Sequence, residues 1–400
     1  MNPDLTRQVR QRMTLDGAEA TPSAVAAAVR AEPGAALLGE ATLRQVTRQV
    51  AGDMIGAGRL APLLADPAVT DVLVNGVEVW VDRGAGLRRV PGTLTDEAEV
   101  RRLAQRLASS SGRRLDDASP FVDARLPDGT RLHAVLPPIG RDGPYLSLRT
   151  FRQRAFTLDE LINCGSIDPG AARLLAAMVS ARLPYLVTGG TGSGKTTVLS
   201  TLLSLVPPAE RLVVVEDAAE LRPAHPHVVS LQSRMSNVEG VGEVSLRDLV
   251  RQALRMRPDR LVVGECRGAE IVDLLGALNT GHEGSAATLH ANSPADVPAR
   301  LEALGLLGAI PRAALHALVL AALRVVVHLQ RGADGARTLT EICVLDRHPE
   351  QRTIVVQTAW RRGTGPAPGA DHLDRLFTER EVTPPRPSGP WRFVPDRGWV

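Results

Sequence analysis

The chain holds 47 lysine and arginine residues, and one of them is lysine: Lys195, inside the run G-G-T-G-S-G-K-T from Gly189 to Thr196. Every other long cation is arginine. An ammonium is a compact charge that tucks between β- and γ-phosphate oxygens, where a planar guanidinium is too wide. Gly189, Gly192 and Gly194 let the backbone bend so that successive N–H groups point at a phosphate at the positive end of the following helix. Gly190, Thr191 and Ser193 complete the loop, Thr197 begins the helix with Lys195 and Thr196, and the Thr196 hydroxyl suits Mg2+. The run therefore reads as a nucleotide phosphate loop with ATP and Mg2+ as its ligands, and Lys195 as the charge that stabilises transfer.

Carboxylates follow where hydrolysis needs them. The run L-V-V-G-E ends in Glu265, an acid delivered by a core strand to the carboxyl edge of the sheet, where it can orient and deprotonate water. A second run, V-V-V-E-D-A-A-E-L, puts Glu216 and Asp217 at another strand end. One of these could polarise water and the other support Mg2+, or Asp217 could simply cap a turn. The segment G-H-E-G-S-A-A-T-L-H-A-N places His282 and His290 around a strand, with His290 a candidate γ-phosphate contact or sensor. The H-x7-H spacing lacks the geometry of a helical metal pair and no cysteine is near, so zinc is not expected.

These groups need a scaffold, and the pattern supplies one. An apolar strand over 184–188 precedes the loop, and a helix over 195–205 follows it before Pro207 and Pro208. Strands over 211–217, 260–265 and 285–290 alternate with helices over 245–257 and 269–280, which implies a parallel, doubly wound α/β sheet of the P-loop type. Ser245 and Asp248 match a capping box, and Leu246, Leu249, Val250, Ala253 and Leu254 share a face. Upstream, short strands around Asn75-Gly76 and Pro127-Asp128-Gly129, with one helix over 96–109, predict a smaller α+β domain. The domain plan is a helical appendage at 1–50, the α+β domain at 51–151, a linker at 152–183 and the ATPase domain at 184–360, with strands over 337–346 and 353–360. A Pro/Gly/Arg-rich tail over 361–400 reads as disordered.

Composition narrows the partners. Net charge is +3 and aromatics are 3% of residues, so base-stacking platforms are scarce and no long basic stripe appears; a nucleic-acid motor is the alternative this disfavours. A non-hydrolysing nucleotide sensor would need a missing catalytic acid, yet Glu216 and Glu265 are present. Three dispersed cysteines suggest neither a disulfide framework nor a zinc site, which fits a reducing cytoplasm. No N-terminal apolar segment resembles a signal, and the greasiest stretch, 301–329, is broken by Pro311, Arg312, His316 and Arg324.

Taken together, several motifs resemble the type II/IV secretion and pilus-assembly ATPase superfamily, most closely its Tad/Flp-pilus branch, the TadA family of conjugal-transfer-associated ATPases. They are D-A-R-L-P-D-G-T-R-L-H-A-V-L-P-P at 123–138, L-S-L-R-T-F at 146–151, the Walker A loop, the acidic run at Glu216, R-D-L-V-R-Q-A-L-R-M-R-P-D-R with V-G-E-C-R-G-A-E, and the histidine segment. The resemblance spans about residues 60–358. It implies a RecA-like core in a homo-hexameric ring whose N-terminal domains swing against it, and arginines from those domains that complete the nucleotide site. Arg125, Arg131 and Arg149 match those positions. It further implies a cytoplasmic motor, peripheral at the inner face of the cell membrane, that works on an inner-membrane platform protein. The four-cysteine zinc element of some type II secretion ATPases is missing.

Overall fold

The computed structural model describes residues 56–66, 68–84, 86–150, 155–234, 242–350 and 353–385, with 22–32 and a few shorter stretches besides. The chain divides into two compact units, Met1–Arg152 and Gln153–Val400.

In the first unit, β1 (Asp71–Asn75), β2 (Glu78–Asp82), β3 (Leu87–Val90), β4 (Phe121–Arg125), β5 (Arg131–Val135) and β6 (Tyr145–Arg149) form an antiparallel sheet in the order β3-β2-β1-β6-β5-β4. Helix α1 (Glu97–Ser110) is capped by Asp96, whose carboxylate accepts from the Ala98 N–H at 3.1 Å. Alternation decides which face is buried. Val72, Val74, Val122, Ala124, Leu132, Ala134, Leu146 and Leu148 turn to one side and pack with Leu103, Ala104 and Leu107 of α1. The opposite face carries the polar residues, and there Arg125 pairs in register with Arg131, Arg131 with Arg149, and Arg149 with Asp71. Cross-strand partners share a face, so the three arginines stand in one row. Of the N-terminal appendage, a helix at Pro22–Arg30 is described, with Val25 and Val29 buried; the rest of 1–50 lies outside the described residues apart from single positions.

The second unit is built on β7 (Tyr185–Gly189), β8 (Leu212–Glu216), β9 (Val228–Gln232), β10 (Arg260–Cys266), β11 (Ala286–His290), β12 (Val325–Arg331), β13 (Arg337–Arg347), β14 (Ile354–Arg361) and β15 (Gly365–Pro366). Among the described residues they make one nine-stranded sheet, β15-β14-β13-β12-β7-β11-β10-β8-β9. It is parallel from β12 to β9, as the sequence predicts, and continues antiparallel through β13, β14 and β15. Both faces are covered, which is why β7 and β8, in the middle of the parallel part, are buried at every residue. Tyr185 and Val187 face helices α2 (Leu158–Asn163), α3 (Pro169–Ser180), α4 (Lys195–Leu203) and α9 (Ala370–Glu379). Leu186 faces the other way, toward α5 (Leu246–Ala253), α6 (Glu270–Leu278), α7 (Val297–Leu307) and α8 (Arg312–Ala322). The capping box of α5 forms between Ser245 and Asp248.

Two expectations differ from what forms. Residues 158–180 are core helices rather than a linker, because L-D-E-L and A-A-R-L-L-A-A-M-V place Leu158, Leu161, Leu175 and Met178 against the sheet. The tail is not disordered through 361–385: Leu373, Leu376 and Phe377 recur at helical spacing, and α9 buries Phe377 completely. The tail beyond 385 lies outside the described residues save two short strands. The apolar stretch 301–329 divides into α7, α8 and β12, and among the described residues no single helix is long and apolar enough to cross a membrane. All three cysteines are free thiols, with Cys266 and Cys343 buried.

Candidate active site

Parallel strands end at the same edge, so β7, β8, β10 and β11 bring Gly189, Glu216, Glu265 and His290 to one side of the sheet. His290 pairs in register with Gly189, directly beside the loop, whereas His282 precedes β11 at the opposite edge, its Nδ1 3.1 Å from the Ala277 carbonyl.

The loop has the shape its glycines require. Gly192 (φ +69°) and Gly194 (φ +96°) sit in the left-handed region, and a Cβ on Gly189 would run into the Leu329 carbonyl of β12. Gly194 caps α4 with no side-chain hydrogen bond, so the first N–H groups of that helix are left for a ligand. The Lys195 ammonium donates to the Gly189 and Gly190 carbonyls at 3.1 and 3.0 Å, and the buried Ser193 hydroxyl donates to Gly190 at 3.0 Å. Thr191 is exposed at the loop tip, and Thr197 lies in the first turn of α4, its carbonyl accepting from Thr201. An apolar strand, a bent loop and a cation held over it make a cradle that fits a polyphosphate.

The acids are sorted by what they touch. Thr196 Oγ1 donates to Glu220 Oε2 at 3.4 Å, so the carboxylate beside the Mg2+-type hydroxyl is Glu220's. Asp217, expected there, instead accepts from the Ser233 hydroxyl at 2.9 Å, beside β9, because the chain turns away after β8. Glu216, the first acid of that run, turns inward. It is 3% exposed, and its Oε1 accepts from the Glu220 and Leu221 N–H groups at 3.0 Å each, so it shapes the loop that carries Glu220. Glu220 was legible as the last acid of E-D-A-A-E, but nothing in that run says which acid the turn presents.

Glu265 lies where the β10–β11 register shifts, a bulge that re-aims a strand-end side chain, and it is ion-paired with the exposed Arg267. Glu270, buried at the start of α6, accepts from the Arg267 and Gly268 N–H groups at 2.6 and 2.7 Å and holds that turn. Behind the loop, Thr188 Oγ1 lies 2.9 Å from Nδ1 of the buried His328, a contact the sequence does not announce. Burial pushes the His328 imidazole below the usual histidine range, with Glu341 pulling the other way. Arg125, Arg131 and Arg149 belong to the first unit, where Arg131 is ion-paired with Asp123 at 2.7 Å.

Comparison with known proteins gives the family. The profile of the family described as "Type II/IV secretion system protein" matches residues 54–353. A Mycobacterium tuberculosis protein whose name assigns it to conjugal transfer is 54% identical over 351 residues, covering 86% of this chain and 99% of its own length. The type IV secretion system protein PtlH of Bordetella pertussis is 34% identical over 310 residues, with 70% and 90% covered. The fold matches the Yersinia pseudotuberculosis ATPase DotB (TM-score 0.52, 18% identity, 81% and 82% covered) and the pilus retraction motor PilT with bound ADP (TM-score 0.50, 18% identity, 81% and 89% covered). The chain belongs to the type II/IV secretion system protein family and is an ATPase whose RecA-like core follows an α+β unit in the sequence.

Proposed function

We propose that this ATPase is a homo-hexameric motor that powers assembly or secretion by a Tad/Flp-type pilus or a conjugation-related export apparatus. It works as a peripheral protein at the cytoplasmic face of the cell membrane, through a membrane platform protein. The observation that carries the ring reading is the row of Arg125, Arg131 and Arg149, three guanidinium groups in adjacent register on a unit that does not hold the phosphate loop. A cation brought to a γ-phosphate from a separate body makes hydrolysis depend on closure, and that dependence is how chemistry becomes motion.

In this reading Lys195 and the N–H groups at the start of α4 hold the phosphates, and Glu265 and Glu220 orient the attacking water and accept its proton. Glu216 positions Glu220, and His290 reports the phosphate from beside Gly189. Mg2+ fits the Thr196 hydroxyl beside the phosphates, and when bound it would neutralise phosphate charge.

The deciding experiment mixes two inactive variants, Lys195→Ala and Arg149→Ala, in excess nucleotide. Recovery of ATPase activity on mixing means that one subunit supplies the loop and its neighbour the arginine. Proven mixed assembly without recovery would overturn the shared-site ring.

A further inference from the structure

The phosphate-loop strand β7 has β11 on one side and β12 on the other. The three acids lie toward the β11 side, with Glu265 next to the end of β10, Glu216 ending β8 and Glu220 beyond it. A γ-phosphate that must meet them points that way, so the nucleoside leaves the loop over β12. The turn joining β12 to β13 stands there, and its two flanking residues are arginines that pair in register, Arg331 with Arg337. Arg331 Nη1 is 3.5 Å from where a Cβ on Gly192 would sit, and Arg337 Cδ is 3.7 Å from the equivalent point on Gly194.

Like charges opposed across a strand pair repel. Yet among the described residues neither guanidinium is ion-paired with a carboxylate, and Asp334, in the same turn, accepts from the Ala336 N–H instead. The Arg337 Nε is buried without a hydrogen-bond partner. Two cations held together against a phosphate loop, one with a donor uncommitted, make a site for an anion with a flat group attached.

We propose that Arg331 and Arg337 bind the nucleoside end of the nucleotide, with a guanidinium on the α-phosphate and a planar face for the base. This rests on the loop being the nucleotide site, and the test separates the two. Binding of ADP and of inorganic tripolyphosphate, each with Mg2+, is measured by calorimetry on the full chain at about 0.15 M salt, where distant charges are screened. Loss of tripolyphosphate and ADP binding together in Lys195→Ala establishes the loop; ADP binding that survives there refutes the site and this inference with it. In Arg331→Ala, whose side chain is exposed and dispensable for packing, and in Arg337→Ala, ADP should weaken about 10-fold or more, and by a larger factor than tripolyphosphate, which has an α-phosphate contact to lose but no base contact. An equal loss of both probes, or none, in the folded Arg331→Ala chain overturns the assignment.

Discussion

Gly264 offers the sharpest test of how the acids are arranged. A Cβ there would lie 2.6 Å from Glu216 Cγ and 3.0 Å from Glu216 Oε1, and Gly264 cannot retreat because its carbonyl accepts from Thr288 of β11. Gly264→Ala therefore expels Glu216. Two N–H groups, on Glu220 and Leu221, then lose a carboxylate acceptor, at about 1.5–3 kcal/mol each. The Glu220 N–H is half-buried and regains water while the Leu221 N–H is buried, so the net loss is about 2–4 kcal/mol. For a unit of this size that lowers the unfolding midpoint by about 5–15 °C. ATP turnover should fall with it, since Glu220 is displaced from Thr196. Calorimetric unfolding and steady-state hydrolysis read both effects. Glu216→Ala removes the same hydrogen bonds and also the obstacle, so adding Gly264→Ala to it should cost little more. Gly264→Ala with a wild-type midpoint and rate, or a double variant whose losses simply add, would refute the coupling.

Other expectations follow from the same contacts. Lys195→Ala should abolish nucleotide binding or turnover, and Lys195→Arg should fail too, because the fork cannot enter the loop; an active Arg variant in a hydrolysis assay would remove the reason for the lone lysine. Glu220→Gln and Glu265→Gln should each keep ATP affinity by calorimetry and lose about 100-fold or more in turnover, while a matching loss of affinity would mark that residue as a phosphate or metal contact instead. His328, depressed by burial, binds its proton less readily folded than unfolded. Its contribution is thus complete above the ordinary value near 6.5 and declines as pH falls through it toward the lower folded value, by at most about 1.4 kcal/mol per pH unit. Denaturant midpoints of wild type and His328→Asn should converge between pH 7 and 5, and parallel profiles would show that His328 does not titrate there.

What could be read in the sequence was whatever depends on neighbours along the chain. The loop is legible because three glycines and a lysine act within eight residues, and α5 because its cap and apolar stripe share one helix. The row of Arg125, Arg131 and Arg149 was reachable by resemblance, but only strand register shows that they stand side by side. The tail misled for a related reason: proline and glycine dominate its composition, while Leu373, Leu376 and Phe377, three residues in ten, decide that α9 packs. Glu216 and Glu220 are the instructive case. Both are acids near one strand end, and alternation cannot rank them, because the choice is made by Gly264 on the neighbouring strand, which leaves room for one carboxylate to turn inward and hold the backbone. The inward acid holds the backbone through Oε1, and the acid it positions is the one that reaches Thr196. A carboxylate next to a phosphate loop is thus assigned by its hydrogen bonds and not by its distance in sequence, and the missing Cβ of a glycine two strands from the loop is what settles it.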